Sequence, residues 1–245
     1  MFVQSALAPG PEGMRPPDLQ SLDRPVWASL SSHHAPLAEG GLLARRFLPD
    51  VNLFASSCDD SPAALTALAA LLRPGESVLL LQVPKIVTPA GLVAAKEARG
   101  VQMIATRRAP FEAGHGNDDI LTLGDRDAPE MLALARLTEP GPFLTRTLVM
   151  GRFLGIRIDG RLAAMAGERM RFPGYTEVSG VCTHPDFRGR GLARRLSAAV
   201  AAAIEARGEQ PFLHAWRTNH AAISLYERLG FELRAEVYVA ELRRP

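Results

Sequence analysis

The sequence is poor in cysteine and has no long hydrophobic run. Cys58 and Cys182 are far apart and show no Cys-x-x-Cys or Cys/His spacing, so neither a disulfide framework nor a metal site is expected. No apolar run approaches the ~18 residues of a membrane span. The start of the chain also lacks the basic residues and continuous apolar core of a signal peptide. We therefore expect a cytoplasmic protein without a membrane partner.

An excess of charge of one sign is also missing. The formal net charge is +2 and aromatic residues make up 6% of the chain, which does not favour a nucleic-acid partner. Lys85 and Lys96 are the only lysines, and neither follows a glycine. This excludes a nucleotide P-loop, which ends in Gly-Lys-Ser/Thr.

The first part of the chain has the pattern of an α/β protein. Ser61 and Pro62 are typical of a helix start. Thr88 and Pro89 show the same pattern, and Gly100 is expected just past the end of that second helix. The predicted elements are a helix over 62–72, a strand over 78–83, a helix over 89–99 and a strand over 101–106. With a proline-rich start and a polar linker at 111–118, these form a predicted N-terminal α/β domain over 1–115. We find no catalytic motif in it.

Residues 116–245 are predicted to form a second domain. A helix is expected to begin after Asp127, with Pro129 in its first turn and Glu130 reaching back to the cap. Asp159-Gly160 predicts a hairpin between strands. In order, the predicted elements are a strand over 120–123, the helix from 128, strands over 153–158, 162–170 and 177–183, a helix over 192–207, a strand over 212–216, a helix over 221–229 and a strand over 237–242.

The most informative stretch is Arg188-Gly189-Arg190-Gly191-Leu192-Ala193, followed by Arg194. It connects an apolar, β-branched run to an alanine-rich helix. A glycine-rich turn at a helix start leaves N–H groups unpaired at the positive end of the helix dipole. Such a turn favours binding of a phosphate or pyrophosphate group. A dinucleotide fold fits poorly, because Arg194 stands where its third glycine is required and Glu205 is too near to be its acidic residue.

Two motifs resemble those of the GCN5-related N-acetyltransferase (GNAT) superfamily. Arg188-x-x-Gly191-x-Ala193 matches the Arg/Gln-x-x-Gly-x-Gly/Ala signature of that family. The stretch from Asn219 to Phe231 resembles its N-x-x-A-x-x-L-Y-x-x-x-G-F segment. The two motifs occur in the family's order. The C-terminal block, with residues 211–216 and 225–231, is most similar to the FR47-like branch, which resembles glycine N-acyltransferases.

This resemblance implies the fold and the cosubstrate. It implies an α/β (α+β) GNAT fold, with a mixed, mostly antiparallel sheet flanked by helices, and the N-terminal part is compatible with a degenerate GNAT-like half. The implied cosubstrate is acetyl-CoA, without a metal. The residues implied to bind it are Val181, Cys182, Thr183, Arg188, Gly189, Arg190, Gly191, Leu192, Ala193, Arg194, Asn219, Ala222 and Tyr226.

The resemblance also implies catalytic roles. Tyr226 stands at the family's proton-donor position, although a tyrosine of this helix can also simply pack on the sheet. Glu177 and His214 are two candidates for the base that deprotonates the amine, and solvent is a third. Cys182 is a weaker candidate for a nucleophile, because a buried strand thiol is usually inert.

We therefore expect an N-acyltransferase that moves an acetyl or short acyl group from acetyl-CoA to a primary amine by direct transfer. The FR47-like pattern favours small molecules or amino acids as acceptors. The alternative is an acyl-CoA-binding sensor without turnover, which would need neither Tyr226 nor Glu177. Monomer and homodimer both remain open.

Overall fold

The computed structural model describes residues 18–107 and 119–245. The linker predicted at 111–118 lies outside these residues. The helices are α1 (Pro25–Leu30), α2 (Pro62–Ala70), α3 (Ala128–Thr138), α4 (Leu192–Glu205) and α5 (His220–Arg228). Short 3-10 helices lie at Leu19–Asp23, Ala35–Leu37, Asp125–Asp127, Thr147–Met150 and Pro185–Phe187.

The strands form two sheets. The small sheet has the order β1-β2-β3, and the large sheet has eight strands in the order β4-β11-β5-β10-β9-β8-β7-β6. Their bounds are β1 Ala38–Gly40, β2 Ala44–Phe47, β3 Ala55–Ser57, β4 Ser77–Gln82, β5 Val93–Ala105, β6 Ile120–Leu123, β7 Phe153–Ile158, β8 Arg161–Phe172, β9 Tyr175–Thr183, β10 Gln210–Trp216 and β11 Phe231–Arg243. The large sheet is antiparallel except for the parallel pair β9–β10. The predicted mixed, mostly antiparallel sheet is confirmed.

Helices cover both faces of the large sheet. Leu154, Ala164 and Ala166 belong to the core cluster that contains the buried residues of α4 and α5. Phe153 and Met165 alternate with them along β7 and β8 and pack with α3 in another cluster. Because successive side chains of a strand point to opposite faces, α3 and α4 lie on opposite sides of the sheet.

Several local predictions are confirmed by the structure. Ser61 caps α2, where its side chain accepts a hydrogen bond from the backbone N–H of Ala64. Asp159 and Gly160, both with positive φ, turn β7 into β8 as predicted. α3 begins at Ala128 as expected, but the predicted contact of Glu130 is wrong. Its carboxylate accepts a hydrogen bond from the N–H of Leu162 at 2.7 Å instead.

The helix predicted over residues 89–99 is wrong. Residues 93–99 form the first part of β5, which pairs with β11 from Val93 to Ala105. The run from Ala94 to Arg99 favours a helix by intrinsic propensity, but this long antiparallel pairing overrides that preference. The strand predicted over 101–106 is the second part of the same β5.

β5 also joins the two parts of the chain. It lies between β11 and β10 in the large sheet, and β4 forms one edge of that sheet beside β11. Strands from both sides of the boundary predicted near residue 115 therefore share one sheet. As a consequence, residues before that boundary reach the same cavity as residues after it.

Candidate functional site

The central feature of the large sheet is a split between two strands. β9 and β10 pair in parallel only over three residues each, ending at the pair Glu177 and Phe212. Beyond that pair the two strands diverge, and a cavity of about 590 Å³ opens between them. Its volume lies in the range of small-molecule sites.

Within residues 18–107 and 119–245 the helices are too short or too polar to cross a membrane.

A bulge in β9 shapes one wall of this cavity. Gly180 and Val181 lie opposite a single residue of β8, because the register shifts between Ser179 and Cys182. Gly180 has φ +62°, and a Cβ there would lie 2.9 Å from the ring of Phe153. Only glycine suits this position. The bulge and the strand divergence leave backbone groups of β9 facing the cavity without a strand neighbour on that side.

The predicted anion site lies at the start of α4. Gly189 and Gly191 both have positive φ, at 79° and 73°, and Gly191 is the N-cap residue of α4 without a side-chain cap. This geometry leaves the first N–H groups of α4 without partners inside the helix. Arg188 and Ala193 line the cavity. The predicted binding residues Gly189, Arg190, Gly191, Leu192 and Arg194 belong to the same turn but do not line the cavity.

α5 places Tyr226 on the other side of the split. Tyr226 lines the cavity with Asn219 and Ala222, and it is only 8% exposed. Burial raises the pKa of its hydroxyl to about 12, and the negative charge of Glu177 adds to this effect. The phenol is therefore protonated at neutral pH. The side chain of Asn219 accepts a hydrogen bond from the N–H of Ala222 at 3.1 Å, so it caps the helix that carries Tyr226.

Glu177 is fully buried and does not line the cavity. Arg169 donates two hydrogen bonds to its carboxylate, from Nε at 2.7 Å and from Nη2 at 2.6 Å. Burial alone would raise the pKa of Glu177, but the charge and hydrogen bonds of Arg169, with the hydrogen bond from His214, lower it to about 2. A carboxylate with so low a pKa is a weak base.

His214 lines the cavity, but both of its ring nitrogens have partners. Nδ1 lies 2.7 Å from Oε1 of Glu177, and Nε2 lies 3.1 Å from the amide nitrogen of Gln102. Because a carboxylate only accepts hydrogen bonds, Nδ1 carries the proton, and Nε2 then accepts from Gln102. The structure brings two of the predicted catalytic residues, Glu177 and His214, together in one buried network in which both already have hydrogen-bond partners.

The predicted strand residues Val181, Cys182 and Thr183 line the cavity as expected. Cys182 is a free, buried cysteine. Burial raises the pKa of its thiol to about 11, although the side chain of Thr138 and the backbone of Met165 act in the opposite direction. The thiolate, which is the nucleophilic form, is therefore scarce at neutral pH.

Sequence reasoning missed three groups of cavity residues. The first is Arg169, whose signal was a charged pair, Glu168-Arg169, inside an otherwise apolar strand. The second is the face of β4, β5 and β11, which remained hidden because part of β5 was predicted to be a helix. The third is the loop after α3. The lining residues of the second and third groups are Leu79, Leu81, Lys96, Glu97, Ala98, Gly100, Glu139, Pro140, Gly141, Pro142, Val237, Val239 and Glu241.

Comparisons with known proteins agree with this geometry. Residues 153–240 match the FR47-like protein family. A solved structure from Novosphingobium aromaticivorans, assigned to the GNAT family of acetyltransferases, is 44% identical, with a TM-score of 0.84 over 91% of this chain and 98% of that one. A GCN5-related N-acetyltransferase from Kribbella flavida shares the fold at 18% identity, with a TM-score of 0.58 over 90% of this chain and 95% of that one. None of the curated proteins matches the sequence. On the strength of the 44% identical relative, the chain belongs to the GNAT family of acetyltransferases.

Proposed function

We propose that the protein transfers an acetyl or short acyl group from acetyl-CoA to the primary amine of a small molecule or amino acid. The observation that carries this proposal is the split between β9 and β10, which has the α4 turn and the buried hydroxyl of Tyr226 on its walls. Binding an acyl-CoA alone would not require a protonated phenol inside the cavity. Placing both substrates in one cavity removes much of the entropy cost of a bimolecular reaction.

The two ends of acetyl-CoA fit different parts of the site. The unpaired N–H groups at the start of α4, with Arg188 beside them, suit the pyrophosphate. The backbone of β9 from Val178 to Thr183 suits the amides of the pantetheine arm, because these residues line the cavity where β10 has diverged. Hydrogen bonds to backbone groups depend little on side-chain identity. This explains how apolar residues such as Val181 can belong to the site.

In the overall reaction the amine nitrogen loses one proton and the sulfur of CoA gains one. The amine nitrogen forms a bond to the thioester carbonyl carbon while the carbon–sulfur bond breaks, and Tyr226 donates its proton to the leaving sulfur. The amine gives up a proton to water, and Tyr226 regains one from solvent. We propose water as the proton acceptor because Glu177 and His214 are already held by Arg169 and Gln102.

The first test is release of free thiol from acetyl-CoA with a panel of amino acids, polyamines, aminoglycosides and peptides as acceptors. We expect turnover with at least one amine class and acetyl-CoA binding by calorimetry. Tight acetyl-CoA binding without turnover for any acceptor would support the sensor alternative, which the engagement of both candidate bases favours. Absence of acetyl-CoA binding would contradict the proposal.

The α4 turn gives a prediction about affinity. Alanine at position 191 must adopt the left-handed conformation of Gly191, which strains the turn by about 1–2 kcal/mol. Relaxation of the turn should misalign the N–H donors and weaken acetyl-CoA binding about 10-fold in calorimetry. Gly75→Ala is the matched control, since Gly75 also has a positive φ and open space around it but lies outside the cavity. An equal loss of affinity in both variants would refute the assignment.

Cys182 gives a prediction about direct transfer. Because its thiol is buried with a raised pKa, Cys182→Ala should keep the turnover rate within about threefold of the wild type. Mass spectrometry of the wild-type protein mixed with acetyl-CoA alone should detect no acetyl group on Cys182. An acetylated Cys182 that decays when the amine is added would instead establish a two-step route.

We also propose a reducing, cytoplasmic setting, which the two free cysteines support. Size-exclusion chromatography with light scattering distinguishes a monomer from a homodimer.

A further inference from the structure

Arg169 has more hydrogen-bonding capacity than its partner uses. Its side chain is 10% exposed, and Glu177 accepts from Nε and Nη2. Within the parts of the chain that the structure describes, the remaining terminal nitrogen, Nη1, has no hydrogen-bond acceptor. A guanidinium N–H that reaches a cavity and has no acceptor in the protein can donate to water or to an oxygen of a bound ligand.

The surroundings of Arg169 direct this free nitrogen toward the cavity. The guanidinium carbon lies 5.0 Å from the ring centre of Phe54, which covers one side. On another side is the loop after α3, where a Cβ on Gly141 would lie 3.8 Å from Nη1. Phe54, Gly141 and Arg169 all line the cavity. Nη1 therefore lies at the cavity wall between an aromatic ring and a backbone turn.

The position of Arg169 along the sheet also fits an acceptor. Glu168 pairs with Val178 across β8 and β9, which places Arg169 close to this level. Because the strands are antiparallel, Arg169 lies opposite Glu177, and the bulge at Gly180 is three residues further along β9, about 10 Å at the usual rise per residue. Arg169 thus lines the cavity at the level where β9 and β10 begin to diverge.

We propose that Arg169 is a specificity-determining residue that selects acceptor amines carrying a carboxylate within a few atoms of the nitrogen. Nη1 donates to the carboxylate of the acceptor while Nε and Nη2 keep Glu177. This inference rests on the proposed acyl transfer and names the acceptor class of the same site. Glu177 already neutralises Arg169, so a singly charged carboxylate fits better than a doubly charged phosphate.

The test uses three matched series of acceptors: amino acids, the same amino acids as primary carboxamides, and the same amines without a carboxyl group. We expect the wild-type protein to prefer the carboxylate series by about 10- to 100-fold in kcat/KM. Equal rates for the three series, or turnover of the carboxylate-free amines alone, would overturn the proposal. Failure to turn over any of the three series would overturn it as well.

Arg169→Lys is the informative variant, because a lysine keeps a positive charge beside Glu177 but has no Nη1. We expect KM for the carboxylate acceptor to rise about 10-fold or more with kcat nearly unchanged, and the carboxamide to react as before. Arg157→Lys is the control, since Arg157 is also ion-paired but lies outside the cavity. A uniform loss for all acceptors would indicate a structural role only and overturn the proposal.

The outcomes also separate this inference from the proposed function. If acetyl-CoA-dependent transfer occurs at equal rates with and without the acceptor carboxylate, the proposed acyl transfer is supported and the proposed role of Arg169 is refuted. Absence of acetyl-CoA binding removes both. If Arg169→Lys does not fold, the comparison of the three acceptor series on the wild-type protein is sufficient to test whether the protein prefers carboxylate acceptors.

Discussion

Tyr226→Phe should lower kcat by about 100- to 1000-fold, because it removes the hydroxyl that we propose as the proton donor to the leaving sulfur. Phenylalanine keeps the ring that packs against Phe231, with ring centres 6.1 Å apart, so the fold should be preserved. We expect the Kd for acetyl-CoA to change by less than about threefold, since the loss concerns only the reacting state. Steady-state kinetics and calorimetry measure the two quantities separately.

The control for this variant is Tyr238→Phe. Tyr238 lies on β11 beside the guanidinium of Arg99 and does not line the cavity. It should leave kcat unchanged. Because the pKa of Tyr226 is about 12, the wild-type rate should show no loss from tyrosine ionisation between pH 7 and 10. An unchanged kcat in Tyr226→Phe would mean that another group protonates the sulfur.

Arg169→Met should destabilise the fold by about 3–5 kcal/mol, because it leaves the carboxylate of Glu177 buried without a counter-charge. Adding the second substitution Glu177→Gln removes that charge and should recover most of the lost stability. Denaturant unfolding of the two single variants and the double variant measures the coupling between the residues.

Arg146→Met is the control for this effect. Arg146 pairs with Asp50 at 3.1 Å, but both side chains are 49% exposed. Solvent screens such a pair, so the variant should lose less than about 1 kcal/mol. Equal losses in Arg146→Met and Arg169→Met would contradict the buried ion pair.

The same ion pair predicts how stability depends on pH. The pKa of Glu177 is about 2 in the folded protein, below its ordinary value of 4.5. The unfolded state therefore binds the proton more readily, so the contribution is complete above pH 4.5 and is lost as the pH falls toward 2. Glu177→Gln should weaken the dependence of the unfolding free energy on pH below 4.5. An unchanged dependence would argue against the lowered pKa of Glu177.

The site was predictable where local motifs define it. The glycines before α4, the cap at Asn219 and the position of Tyr226 each follow from residues close together in sequence. The structure places Asn219 and Tyr226 on the cavity wall, whereas Gly189 and Gly191 form the turn beside it. The network around Glu177 was not predictable in this way. Its partners Arg169, His214 and Gln102 come from three other strands, and their contacts depend on the register of the large sheet.

The incorrect prediction of a helix over residues 89–99 had the largest consequence. Residues 94–99 favour a helix locally, and only their pairing with a strand more than 130 residues later reveals the extended conformation. With a helix there, Lys96, Glu97 and Ala98 could not be placed on the cavity wall. Long-range pairing therefore limited the prediction of the β5 wall of the cavity, while the α4 turn and the position of Tyr226 depended on local sequence.

The proposed acyl transfer is tested most directly by identifying its product. The protein is mixed with acetyl-CoA carrying an isotopic label in its acetyl group and with the best acceptor of the thiol-release panel. Mass spectrometry then follows the label. We expect the labelled acetyl group on the acceptor nitrogen, in equal amount to the free CoA released, and far less labelled product from Tyr226→Phe. Release of CoA with the label only in free acetate, or no release although acetyl-CoA binds tightly, would contradict the proposed acyl transfer.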